Sequence, residues 1–149
     1  MTRTLLLAIA SVAIPVAAIA QDPATPATPE EFVKARVQRM AQGGQALAIM
    51  KQTLESGRDL PALAPRIEWL SRWSQELPTL FPAGSDTGSS IALPEVWSDR
   101  AGFDAAATRF RTAVEALAAP AAAGDRAAFL TTWTAAHDAC SACHDAYRM

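Results

Sequence analysis

Four stretches of this chain repeat their apolar residues every three to four positions, and none alternates with period two over the length of a strand. A period near 3.6 belongs to the helix, so the pattern predicts an all-α protein, an antiparallel up-down four-helix bundle. The first stretch opens at Thr28-Pro29-Glu30-Glu31, with a Thr N-cap, Pro at the first helical position and Glu31 closing a capping box. Behind it Val33, Met40, Leu47 and Leu54 recur every seven residues, with Val37 and Gly44 at the alternate seam positions, to about Gly57. Gly43 and Gly44 each cost a helix ~1 kcal/mol, so the pair predicts that something bulky or close packs there.

The second helix opens near Asp59 with Pro61, carries Leu63, Ile67, Leu70, Trp73 and Leu77, and ends at Pro78. A loop rich in Pro, Gly and Ser follows over 78–94. The third begins around Ser98, shows Phe103, Ala107, Phe110, Val114 and Leu117, and is closed by Pro120 and Gly124. Asp125 caps the fourth, whose stripe runs through Leu130, Trp133, His137, Cys140, His144 and Tyr147.

The N-terminus has the form of an export leader. Arg3 precedes an apolar run from Leu5 to Ala17, and Ala18-Ile19-Ala20 gives a small-x-small cleavage pattern. Residues 1–20 therefore read as a signal peptide cleaved near Ala20, 21–29 as a Pro/Thr-rich lead-in and 30–149 as the bundle. An uncleaved anchor is the alternative, but the run is shorter than the ~20 residues a spanning helix needs and contains Pro15. The expected location is the periplasm, with no stable membrane insertion after cleavage. The mature chain carries twelve Lys and Arg against fifteen Asp and Glu, and that mild acidity argues against nucleic acid as a partner.

The only two cysteines of the chain stand in Cys140-Ser141-Ala142-Cys143-His144. C-x-x-C-H is the attachment signature of c-type haem: the thiols share a helical face and the adjacent imidazole serves as an iron ligand. A redox dithiol belongs at a helix N-terminus after a strand, and no strand is near. A zinc site built from Cys140, Cys143, His144 and His137 places all four ligands on one helix, which wraps a tetrahedral ion poorly. An inert pair is the third rival. Export, single occurrence and helical context favour one covalent haem c through Cys140 and Cys143, with His144 as the proximal ligand. His137 lies roughly 10 Å along the axis on the same side, so it cannot take the opposite axial position.

Three segments then carry a resemblance: Arg36-Val37-Gln38-Arg39-Met40, Leu80-Phe81-Pro82-Ala83-Gly84-Ser85 with Leu93-Pro94-Glu95-Val96-Trp97, and Cys140 to Arg148. The chain resembles the class II c-type cytochromes, the cytochrome c′ family with its six-coordinate relatives, over essentially all of its mature length. The resemblance implies that Arg36 faces a haem propionate; a solvated helix charge is the other reading. It implies a place for Arg148 beside the proximal imidazole, which a frayed C-terminal arginine explains as well. Homodimers through the first two helices are also implied, and Trp69 with Trp73 suit either such a patch or ordinary core and haem-wall packing.

Met40 decides the function. As a distal ligand its thioether gives a His/Met iron suited to one-electron transfer with periplasmic redox partner proteins, the main expectation. As a gap-filling seam residue it leaves a five-coordinate iron that binds nitric oxide or carbon monoxide. An enzyme is not expected, because no histidine remains as a distal acid or base.

Overall fold

The computed structural model describes residues 26–149. The leader, its cleavage point and the lead-in before residue 26 lie outside the described residues. Six helices follow in order: α1 (Pro29–Glu55), α2 (Ala64–Glu76), α3 (Glu95–Ser98), α4 (Arg100–Glu115), α5 (Ala118–Ala123) and α6 (Arg126–Tyr147). The four long ones form the bundle, and among the described residues there is no strand, only an isolated bridge between Ala92 and Arg148.

The capping box forms as expected. Thr28 Oγ1 accepts from the Glu31 amide at 3.3 Å, and Glu31 Oε2 accepts from the amides of Thr28 and Ala27 at 3.1 and 2.8 Å. Elsewhere proline chemistry redraws the boundaries. Pro65 falls in the first turn of α2, leaving Pro61–Leu63 as a separate 3-10 turn, and Pro78 lies within a second one, Leu77–Leu80. The expected third helix is split. Pro120 cannot donate to the Ala116 carbonyl, so α4 stops at Glu115 and α5 begins with Pro120 near its start.

The seams of α2 and α4 pack as expected: Ile67, Leu70 and Trp73 meet Phe103, Phe110 and Val114 in one core. On α6 the expected stripe holds at Trp133 and fails at Leu130 and His137. Phe129, Trp133 and Ala136 are buried, whereas Leu130 is 47% exposed and His137 is exposed. Phe129 offers the larger apolar surface to α4, and the helix turns to bury it.

Polar side chains hold α6 against α1. Arg126 donates to the Thr53 and Leu54 carbonyls in the last turn of α1 and to Arg58 O just beyond it. Trp133 Nε1 donates to Leu47 O at 2.9 Å. These contacts fix the register in which the last two turns of α6 face the first half of α1.

The glycine pair has two separate explanations. A Cβ on Gly43 would lie 2.6 Å from a ring carbon of Trp73, so glycine admits the indole. A Cβ on Gly44 would meet nothing within 4 Å, because Gly44 borders a cavity.

Candidate haem site

Cys140, Cys143 and His144 sit half-buried in the last two turns of α6, facing α1. Their spacing places the two sulfurs about one turn apart on one face, with the imidazole on the next position. A cavity of about 430 Å³ opens on one side of them, walled by Val33, Val37, Met40 and Ala41 of α1 and by Phe81 and Phe103. A second, of about 620 Å³, is walled by Leu47, Trp73, Trp133, His137 and Cys140. Met40, Gly44 and His144 line both, so the imidazole and the thioether border the same space from facing helices.

The electrostatics separate this motif from a redox dithiol. Burial, and then the neighbouring Cys143, push the Cys140 thiol up to about 12. Burial also raises Cys143, only partly offset by Arg109. A reactive dithiol needs the opposite shift. His144 is lowered, chiefly by burial and then by the Arg148 cation, against a raising influence from Asp145. A neutral imidazole keeps a nitrogen lone pair free for a metal. Among the described residues no group of three or more His, Cys, Asp or Glu is placed to hold a metal ion, which removes support from the zinc reading.

Arg36 is only 5% exposed, so the solvated-charge reading is corrected. Its guanidinium bonds Leu80 O, Ser85 Oγ and Ser85 O and lies 4.8 Å from the Phe81 ring centre, on the wall of the first cavity. Arg148 is not frayed. Its backbone pairs with Ala92, while Leu93 N donates to Tyr147 O and Met149 N to Ile91 O, both at 2.9 Å. Its Nη1 lies 3.5 Å from His144 Nδ1. His137 stacks on Trp133 at 5.1 Å and lines only the second cavity. Trp73 is core, and Trp69 stacks on it at 5.9 Å, half-buried.

Two participants were not singled out from the sequence. Ser85 lies within a segment noted only as a block, and nothing local marks its hydroxyl as the partner of Arg36. Tyr147 donates to Asp99 Oδ2 at 3.0 Å, pinning the end of α6 to the N-cap of α4. Its place on the α6 stripe was visible; its partner was not.

The residues fit a covalently held haem. They supply two thiols at the attachment spacing, an adjacent imidazole whose protonation burial disfavours, apolar walls and a buried cation for an anionic edge.

Comparison with known proteins bears on that fit. The family model described as Cytochrome C' matches residues 31–148. A cytochrome c′ of Rubrivivax gelatinosus is 36% identical over 114 residues, covering 76% of this chain and 80% of that protein. Among solved structures, a nitric oxide complex of a cytochrome c prime mutant from Alcaligenes xylosoxidans superposes with a TM-score of 0.75 at 29% identity, covering 83% and 98% of the two chains. A carbon monoxide-bound variant from the same organism gives 0.75 at 30%, covering 82% and 97%.

Proposed function

The chain belongs to the cytochrome c′ family, whose cofactor is covalent haem c, and on that premise we propose that it is a periplasmic gas-binding haem protein with a five-coordinate iron. The diatomic ligand would be nitric oxide or carbon monoxide. The observation that supports this most is the makeup of the cavity facing His144. Apart from Arg36, α1 contributes only Val33, Val37, Met40, Ala41 and Gly44 to it. Such a wall takes a small apolar molecule and offers no acid or base for chemistry on it. The relatives of the same fold caught with nitric oxide and carbon monoxide support the same reading.

Bound haem c supplies an iron that exchanges one electron and takes a diatomic ligand. The protein's residues would divide the remaining work. Cys140 and Cys143 would anchor the haem by thioether bonds. His144 ligates as the neutral imidazole, a state favoured by burial and by Arg148. Arg36 presents a positive charge at the cavity wall, and the apolar side chains of α1 keep water out.

The expectation of His144/Met40 ligation for electron transfer retains one observation in its favour, since both residues border both cavities from facing helices. The gas-bound relatives weigh the other way. Titration of the ferrous holoprotein with carbon monoxide, followed in the Soret band, separates the two. The proposal expects saturable binding by the wild type. Binding that appears only in Met40→Ala would return the function to electron transfer. A homodimer along α1 and α2 with Trp69 at its face is part of the proposal, and a monomer in sedimentation at high concentration would remove that part.

A further inference from the structure

We propose that Ser85 is a positioning residue that holds the Arg36 guanidinium against the haem cavity while leaving its charge unpaired by any protein carboxylate. The cage around the guanidinium is neutral. Nη1 donates to Ser85 Oγ at 2.8 Å and to Leu80 O at 3.1 Å, and Nη2 donates to Ser85 O at 2.5 Å. The rings of Phe81 and Trp97 lie 4.8 and 5.7 Å from the guanidinium carbon. Ser85 Oγ donates its own hydrogen to Pro82 O at 2.8 Å, which leaves its lone pairs for the arginine.

Both side chains are closed off from water, Ser85 at 1% exposure and Arg36 at 5%. Among the described residues no carboxylate lies within ion-pair distance of Arg36. Asp86 is exposed and forms no ion pair with Arg36, and its charge only opposes the downward shift that burial imposes on Arg36. A guanidinium does not shed its proton in a protein, so its burial persists as positive potential on the cavity wall. A carboxylate at position 85 would cancel that potential. A hydroxyl orients the cation and leaves it free to attract an anionic edge, or an added electron, in the cavity.

This inference rests on haem c occupying the cavity, and not on whether a gas or Met40 meets the iron. A fixed cation favours the reduced state, so loosening it lowers the midpoint potential.

The test is a double-mutant cycle on the holoprotein, read as midpoint potential by spectroelectrochemistry, with covalent haem verified by its optical spectrum. Ser85→Ala is expected to move the potential downward, part of the way to the value of Arg36→Gln. Ser85→Thr, which restores the hydroxyl, is expected to keep the wild-type value. The Ser85→Ala/Arg36→Gln pair is expected to fall no further than Arg36→Gln alone, because Ser85 acts through Arg36. A Ser85→Ala potential equal to wild type, or drops that add in full in the pair, would overturn the proposal. If Ser85→Ala yields no holoprotein, Ser85→Cys, similar in size but a weak hydrogen-bonding group, takes its place in the cycle. Loss of the covalent-haem spectrum in wild type counts against the haem assignment, and an intact spectrum with an unmoved potential counts against Ser85.

Discussion

Gly43 and Gly44 divide α1 into two halves that share one apolar repeat and face different surroundings. Beyond the pair, Ala46, Leu47 and Met50 enter a core with Leu63, Leu70 and Phe129, all buried. Before it, Val37, Met40 and Ala41 border the cavity opposite His144, and Val37 is 59% exposed. The heptad marks which face of the helix is apolar. It does not say whether protein or a prosthetic group meets that face. On the proposed reading, function belongs to the stretch around Met40 and Gly44 that borders both cavities.

The largest way to sharpen the contrast is truncation at each end. Met50→Ala in the packed half, at 0% exposure, is expected to cost about 2–5 kcal/mol in chemical denaturation. Val37→Ala in the other half should stay within about 0.5 kcal/mol. Equal costs would mean that the two halves are packed alike. The glycine pair offers a finer version. Gly43→Ala should lose about 1–3 kcal/mol by overpacking against Trp73, despite the better helix propensity of alanine. Gly44→Ala, whose Cβ meets no protein atom within 4 Å but faces the cavity proposed for haem, should gain up to ~1 kcal/mol in the haem-free protein. Two neighbouring glycines with opposite signs in the same melt would locate the boundary to one residue.

Smaller effects belong to the helix start. Thr28→Ala removes the cap and should cost about 1 kcal/mol, measured in the same denaturation series. The Glu31 carboxylate is held below its ordinary value of 4.5, first by the Ala27 amide and then by the Thr28 amide. A depressed carboxylate stabilises above its unfolded pKa and loses that contribution as pH falls through the folded one. Stability should therefore decline below pH 4.5, and Glu31→Gln should flatten that part of the profile.

Much of the scaffold was legible because local chemistry dictates it. The Thr28 box is complete within four residues, and the stripes of α2 and α4 meet protein along their length, so period and burial agree. The α6 stripe holds at Trp133 and fails at Leu130 and His137, because three- and four-residue steps allow entry through Phe129 or through Leu130. Only packing against α4 chooses between them. Prolines 65 and 120 split helices whose apolar period runs through, since the period is carried by side chains and the break by a missing amide. The thiols and the imidazole could be read from their spelling. The burial of Arg36 could not, because its hydrogen-bond partners Leu80 and Ser85 lie 44 and 49 positions away. A pairing at that distance leaves no trace in a local pattern.

The central claim is a five-coordinate iron in the unpacked half of the bundle, and the EPR spectrum of the ferric holoprotein at neutral pH tests it directly. The account predicts a high-spin signal in the wild type, unchanged in spin state by Met40→Ala. A low-spin wild type that turns high-spin in Met40→Ala would contradict it and assign Met40 as the second axial ligand.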